Sequence, residues 1–262
     1  MSVVSSNSKT WQTEAVALAN KFASAHSFVL QTTDRQLSAA FEIGCLHALL
    51  RFYQSQKYTF TAQNLVEKKE YRYLTSPSGN PANYSYVMAS GLDGEFEIRQ
   101  QVRVQSHVDA HIAFTPDIVV LVKDAAIEKS KHPEYAGGKR TYYRVASSSV
   151  VAAHECKSMN PFPELMVSFI GMLVSAHEWY PNGTGVTHTN QHGQLAPTLF
   201  VGGSARGLHL RMVAAMQKAY RLNIICGLHE GTWSLTDAKN RIIWSPGGVL
   251  PAGFVMDDDV PF

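Results

Sequence analysis

The amino-acid sequence predicts an α/β protein in which a mixed central sheet carries helices on its faces. Two observations predict this class. Apolar runs typical of strands follow one another in the middle of the chain and then alternate with helical patterns. Of the 262 residues, 45% are apolar and 17% are charged, a composition typical of a folded core. We expect one domain over residues 1–262, large enough for a core and an elaboration.

The first elements predicted along the chain are two helices. Strong helix formers at helical spacing indicate the first, at about residues 11–25. The second is predicted at about residues 35–54, with Thr33 or Asp34 as its N-terminal cap. Its apolar stripe consists of Leu37, Phe41, Cys45, Leu46 and Leu49. That stripe predicts a helix with one buried face.

Three strands are predicted next. Polar and apolar residues alternate over 96–105, which indicates a strand with one exposed face. Residues 114–120 and Val150–Lys157 indicate two buried strands, separated by a polar, basic insert at 123–149. The remaining elements are a helix at 162–177, a strand at 198–202, a helix at 205–220 and a strand at 222–226. The predicted order is therefore helix, three strands, helix, strand, helix, strand.

Charged residues lie within the two runs that are predicted as buried strands. Asp117 comes at the start of the first run, and Glu155 and Lys157 come at the end of the second. Side chains alternate across a strand, so Glu155 and Lys157 share one face while Cys156 points to the other. An isolated charge is so unfavourable in a protein interior that it needs a partner or a metal. If the two strands are neighbours, these residues form a site for a divalent cation beside a phosphate.

The sequences Pro116-Asp117 and Glu155-Cys156-Lys157, within this order of elements, resemble the PD-(D/E)xK nuclease superfamily. The resemblance covers about residues 35–226 and implies a restriction-endonuclease-like fold with an αβββαβ core. The N-terminal helix, the insert at 123–149 and a C-terminal extension lie outside that core. The resemblance implies an Mg²⁺-dependent endonuclease that hydrolyses DNA, with Mn²⁺ as a substitute metal. Restriction and phage defence are typical roles of such proteins.

The resemblance also implies roles for individual residues. Asp117 and Glu155 would bind the metal, together with the main-chain carbonyl of Cys156. Lys157 would stay charged between the carboxylates and stabilise charge on the phosphate. Glu42 matches an acidic residue that faces the metal from the first core helix in many members. The alternatives are that Asp117 opens a turn, that Glu155 and Lys157 form an ordinary edge-strand ion pair, and that Glu42 faces solvent.

Basic residues are the candidates for substrate binding. Lys139, Arg140 and Arg144 lie in the insert among tyrosines, and such residues contact phosphates and stack on bases. Arg206 lies near a predicted helix start, where anions bind. The alternatives are a solvated hairpin and a plain capped helix. Because the formal net charge is only +2, binding of nucleic acid requires a local basic surface of this kind.

The remaining features narrow the class of protein. Three cysteines in apolar segments predict reduced core residues, and we expect a cytoplasmic protein with no signal peptide and no membrane contact. His188 and His192 have ligand-like spacing, but their glycine-rich surroundings favour a loop over structural zinc.

We expect nucleic acid as the partner, DNA rather than RNA, and a homodimer or higher homo-oligomer as the assembly. RNA as the substrate, and a scaffold without catalysis, stay open as alternatives.

Overall fold

The computed structural model describes residues 36–66, 71–77, 79–131, 136–138, 141–177, 194–228, 235–236 and 242–244. The predicted helix at 11–25 lies outside the described residues, as do Lys139, Arg140, His188 and His192. The described α-helices are α1 (Gln36–Ser55), α2 (Pro163–His177) and α3 (Leu208–Ala219). None of them is long and apolar enough to cross a membrane.

The central sheet has seven strands in the order β1-β2-β3-β6-β9-β10-β11. These are β1 (Thr59–Gln63), β2 (Tyr86–Gly91), β3 (Gly94–Gln100), β6 (Ile118–Val122), β9 (Val150–Lys157), β10 (Thr198–Val201) and β11 (Asn223–Ile225). Neighbours from β1 to β9 are antiparallel, whereas β9, β10 and β11 are parallel. This mixed sheet with flanking helices confirms the predicted fold class. Helix α1, strands β3, β6 and β9, helix α2 and strand β10 supply the αβββαβ order.

A second sheet has four short strands in the order β5-β4-β8-β7. They are β4 (Arg103–Gln105), β5 (Ala113–Phe114), β7 (Glu128–Ser130) and β8 (Tyr142–Val145). The prediction of one strand over 96–105 is therefore wrong. Gln101, between β3 and β4, has a φ of 52°, and this left-handed conformation cannot continue an extended strand. The described part of the insert contributes β7 and β8 to this sheet, so it is not an isolated hairpin.

Helix α1 packs on the central sheet through its apolar stripe. Phe41, Cys45, Leu46 and Leu49 are buried in one cluster with residues of β6 and β9. Full burial of one leucine side chain stabilises the fold by about 1.5–3 kcal/mol. The stripe therefore fixes α1 against the two strands that carry the predicted site, and Glu42 lies within that contact.

A second apolar cluster lies on the opposite face of the sheet. It contains Ala153 of β9 together with Met166 and Leu173 of α2, and partly buried residues of α3 pack against it. Ala152, the preceding residue of β9, belongs to the α1 cluster, as alternation along a strand requires. Strand β9 is thus covered on both faces, which explains why its sequence is almost continuously apolar up to His154.

Two details of the C-terminal part differ from the prediction. Helix α3 begins at Leu208 rather than Ala205, because the preceding Gly207 has a φ of 53°, outside helical geometry. Beyond β11 the structure describes two short strands, β12 (Leu235–Thr236) and β13 (Ile242–Trp244), which pair antiparallel. They fall in the region predicted as a C-terminal extension.

Candidate active site

The predicted site residues meet at one end of the central sheet. Strands β6 and β9 are antiparallel neighbours, with Ile118 opposite His154. The next positions along this register place Asp117 opposite Glu155. Strand β9 lies between β6 and β10, so Glu155 and Lys157 are not on an edge strand and that alternative is wrong.

The ammonium of Lys157 contacts both carboxylates. Its Nζ lies 3.0 Å from Oδ2 of Asp117 and 2.6 Å from Oε2 of Glu155. Burial acts to lower the pKa of Lys157, but the charges of Glu155 and Asp117 outweigh it and the pKa is raised. Lys157 is therefore charged, and its position shows that one cation can contact both carboxylates.

Further hydrogen bonds fix the carboxylate of Asp117. Its Oδ2 also accepts from the main-chain N–H of Cys156 at 2.7 Å. Its Oδ1 accepts from Nε2 of Gln101 at 2.9 Å. The carboxylate thus bridges β9 and the end of β3, which contradicts the alternative that Asp117 merely opens a turn. The role of the Cys156 carbonyl as a metal ligand stays a prediction.

Glu42 reaches the same site from helix α1. It is only 9% exposed, so the alternative of a solvent-facing residue is wrong. Its Oε2 accepts from Nε2 of Gln101 at 3.2 Å. Burial, and then the charge of Asp117, raise the pKa of Glu42 to about 7. The same two causes raise the pKa of Glu155.

We call Glu42, Gln101, Asp117, Glu155 and Lys157 the site cluster. It combines three acidic side chains with one ammonium, so it carries excess negative charge when every carboxyl is ionised. The raised pKa values of Glu42 and Glu155 reflect the cost of that excess. A proton or an additional cation at this end of the sheet would relieve it.

The donor set is suited to a hard divalent cation. Carboxylate oxygens are preferred ligands of Mg²⁺ and Mn²⁺, and Mg²⁺ commonly uses one or two carboxylates and keeps several waters. Within the described residues, no group of three His, Cys, Asp or Glu side chains forms a ready-made metal cage. A metal would therefore rely on Asp117 and Glu155, completed by water and main-chain oxygen. Two converging carboxylates satisfy that requirement.

Sequence reasoning missed Gln101. The alternating pattern over 96–105 suggested that its polar side chain belonged to an exposed face. The structure instead buries both Gln100 and Gln101, which are 4% and 7% exposed. Alternation gave a signal for Gln100 only, because Gln100 shares the apolar face of the predicted strand with Phe96 and Ile98. Nothing in the pattern indicated that Gln101 would be buried as well.

The predicted substrate-binding residues differ in side-chain contacts and in exposure. Arg144 lies in β8, where its guanidinium donates to the carbonyl of Ala110 and its Nε is 3.8 Å from Oε2 of Glu128. Arg206 is exposed and follows β10, whose Val201 pairs with Lys157. Of these two, Arg206 is the more exposed. Lys139 and Arg140 lie outside the described residues, and all four roles stay predictions.

Comparison with solved structures finds a likeness to NucC of E. coli MS115-1 in a cAAA-bound form. The match has 14% sequence identity and a TM-score of 0.33, and it covers 85% of this chain and 73% of NucC. No protein-family model matches the chain, and curated proteins give no significant sequence match. At this TM-score the likeness carries no argument, so the functional case rests on the geometry of the site cluster.

Proposed function

We propose that this protein is a metal-dependent nuclease that hydrolyses phosphodiester bonds in DNA. One observation carries the proposal: Asp117 and Glu155, on adjacent central strands, converge on the ammonium of Lys157. Two carboxylates can hold a divalent metal that activates a phosphodiester, and a fixed cation can stabilise charge that develops on the phosphate. The resemblance of Pro116-Asp117 and Glu155-Cys156-Lys157 to PD-(D/E)xK nucleases supports the same reaction.

Mg²⁺, or Mn²⁺ as a substitute, would be held by Asp117 and Glu155, with the Cys156 carbonyl as a further ligand. The bound metal supplies charge neutralisation at the phosphate and a water with a lowered pKa. Lys157 contributes a second positive charge, 32% exposed and so reachable from solvent at the sheet end. Because its pKa is raised, it stabilises charge on the phosphate and is not a neutral base. Glu42 lies behind Asp117, joined to it through Gln101.

The charge of the site cluster favours catalysis over a purely structural role. A structural ion pair is stable when its charges balance, whereas this cluster has more carboxyl groups than cations. Because the excess negative charge is buried, the pKa values of Glu42 and Glu155 are raised. The folded state therefore loses stability above neutral pH, where these carboxyl groups ionise. A divalent cation removes the penalty, and a scaffold without metal retains it.

Cleavage of purified nucleic acid tests the proposal. Plasmid DNA and an oligoribonucleotide are each incubated with the protein in Mg²⁺, in Mn²⁺ and in EDTA. We expect DNA cleavage that EDTA abolishes. Asp109→Asn is the matched control for the Asp117→Asn variant. Asp109 is exposed, and its Oδ1 accepts a hydrogen bond from the N–H of His111, which an asparagine oxygen can also accept. Cleavage of RNA alone would assign the other substrate, and no cleavage of either with any metal would favour the scaffold.

We further propose restriction or phage defence as the biological setting, a cytoplasmic location and a homodimer or higher homo-oligomer. The resemblance to PD-(D/E)xK nucleases supports these assignments. Sedimentation with and without DNA would test the assembly. Phage plating on cells that express the protein would test the defence role. We expect fewer plaques with the parent protein and normal numbers with Asp117→Asn.

A further inference from the structure

Gln101 makes contacts that reach two acidic residues at once. Its Nε2 lies 2.9 Å from Oδ1 of Asp117 and 3.2 Å from Oε2 of Glu42. An amide nitrogen carries two hydrogens, so it can donate one to each carboxylate. The two acidic residues lie on different elements, since Glu42 belongs to α1 and Asp117 precedes β6. Within the described residues, Gln101 therefore links helix α1 to the start of strand β6.

The main chain of Gln101 is tied to the same place. Strand register puts Gln100 opposite Ile118, and the N–H of Gln101 donates to the carbonyl of Asp117 at 3.1 Å. Gln101, Asp117 and Glu155 thus follow one another across three adjacent strands. Immediately afterwards the chain turns away to β4, with a φ of 52° at Gln101. A non-glycine residue in this conformation is strained and persists only where surrounding contacts over-determine it.

The chemistry of an amide matters at this position. A lysine or arginine would neutralise Asp117 and Glu42 and compete with a metal for their oxygens. The amide donates hydrogen bonds while adding no net charge, so it holds both carboxylates and preserves their affinity for a cation. Groups that hydrogen-bond to metal ligands typically alter metal affinity or activity about 10–100-fold when they are removed.

We infer that Gln101 is a positioning residue of the metal site, which orients Asp117 for the cation and holds Glu42 behind it. This inference rests on the proposed function, because it assigns Gln101 a task at the same carboxylates. Gln101 acts through Asp117 and Glu42 and does not itself touch the reacting phosphate.

Two variants separate positioning from simple structural support. Gln101→Met keeps the side-chain length and the strained backbone but loses both hydrogen bonds. Gln101→Gly also loses them, yet it relaxes a left-handed backbone that glycine adopts freely. Lys57→Gly is the matched control, because Lys57 also has a positive φ, of 71°, and is exposed after the end of α1. A structural role predicts that loss of metal affinity follows loss of thermal stability across these variants.

The readout is Mn²⁺ affinity, measured by electron paramagnetic resonance of the free ion, with the melting temperature of each protein in EDTA. We expect the Kd for Mn²⁺ to rise about 10-fold or more in both Gln101 variants, whichever way their melting temperatures move, and to stay unchanged in Lys57→Gly. At saturating metal, KM for DNA should equal that of the parent, because Gln101 does not bind substrate.

The outcomes distinguish this inference from the proposed function. Parent-like Mn²⁺ affinity in both Gln101 variants would overturn the positioning role while leaving nuclease activity intact. A parent protein that binds Mn²⁺ but cleaves neither DNA nor RNA would overturn the nuclease proposal, and the variant affinities would still decide the role of Gln101. A parent that binds no Mn²⁺ would overturn both.

Discussion

Two buried charged groups on the central sheet differ in charge balance. The first is the pair Glu97–Arg99 of β3, whose Oε2 and Nε are 2.6 Å apart. Arg99 also lies over the ring of Tyr86 at 3.5 Å, and the N–H of Asp124 donates to Glu97. One carboxylate meets one guanidinium, so the pair is neutral and its contacts come from the chain itself.

The second group is the site cluster, in which three acidic side chains share one ammonium. Both groups contain a buried carboxylate, since Glu97 is 3% exposed and Asp117 7%. What differs is that the site cluster needs two protons or one divalent cation from solution to become neutral. Charge balance, rather than burial of the carboxylates, therefore separates the Glu97–Arg99 pair from the site cluster.

The largest effect is expected from Asp117→Asn, which removes one negative charge and one metal ligand. We expect metal-dependent DNA cleavage to fall by at least about 10³-fold, with circular dichroism unchanged, because the amide retains the shape of the side chain. Rates are measured on plasmid DNA under single-turnover conditions. Cleavage within 10-fold of the parent would remove Asp117 from the metal site.

Lys157→Ala should lower turnover by about 10²–10³-fold, because one fixed charge near the phosphate is lost. Substrate affinity should change far less, and metal affinity should persist or increase once the competing ammonium has gone. Lys157→Arg should not rescue, since a planar guanidinium cannot occupy the compact position between the two carboxylates. Equal rates for the parent and Lys157→Ala would contradict the electrostatic role.

Disruption of the Glu97–Arg99 pair should lower stability and leave metal affinity unchanged. Arg99→Met leaves Glu97 buried without its cation, and the free energy of unfolding should fall by about 3–5 kcal/mol. Urea denaturation measures this loss. Mn²⁺ affinity of the remaining folded protein should stay at the parent value, because neither residue contacts the site cluster. A weakened metal site in this variant would show that the two groups are coupled.

Stability should depend on pH with a sign set by the raised pKa values. Folding raises the pKa of Glu42 from 4.5 to about 7, so the folded state binds more protons than the unfolded state between these limits. Stability is therefore greatest below pH 4.5 for this group and decreases as the pH rises through 7, by on the order of 3 kcal/mol. Burial and the charge of Asp117 also raise the pKa of Glu155, so this residue makes stability depend on pH in the same direction.

Melting temperatures from pH 5 to pH 8 in EDTA test this dependence. Saturating Mg²⁺ should reduce the slope, since the cation neutralises the carboxylates that the folded state otherwise protonates. Glu42→Gln should also flatten it in EDTA, because that variant lacks one titrating group. A profile in EDTA as flat as that of Glu42→Gln would contradict the raised pKa of Glu42.

The smallest effect is expected at the basic surface. Arg206→Ala should weaken DNA binding about 2–5-fold and reduce the slope of log K against log salt by about one, because one phosphate contact is lost. Lys139→Ala with Arg140→Ala should act in the same direction. Affinity is measured in Ca²⁺ or EDTA, so that DNA is not cut. An unchanged slope would exclude these residues as phosphate contacts.

Much of the site follows from strand alternation. Alternation put Glu155 and Lys157 on one face, and the structure meets the condition that β6 and β9 are neighbours, which places Asp117 opposite Glu155. The apolar stripe of α1 predicted which face of that helix packs on the sheet. These features depend on periodicity and order, which are properties of the sequence itself.

The contacts of Gln101 and Arg144 could not be predicted in that way. Gln101 depends on a left-handed backbone at a residue other than glycine, and local pattern does not indicate such a conformation. Arg144 depends on Ala110 and Glu128, which are remote in sequence and meet it only through the second sheet. Tertiary context decides both positions.

The site cluster draws its residues from positions 42 to 157, which lie in α1, after the end of β3, before the start of β6 and in β9. A chain still being synthesised can therefore form helix α1 and the hairpin of β2 and β3 while it lacks the ammonium and one of the carboxylates. Strand β9 pairs with β6, so its arrival brings Glu155 and Lys157 to Asp117 and completes the site cluster before β10 and β11 are made. If the protein is a nuclease, an unfinished chain that ends before Lys157 cannot cut the DNA of the cell that makes it.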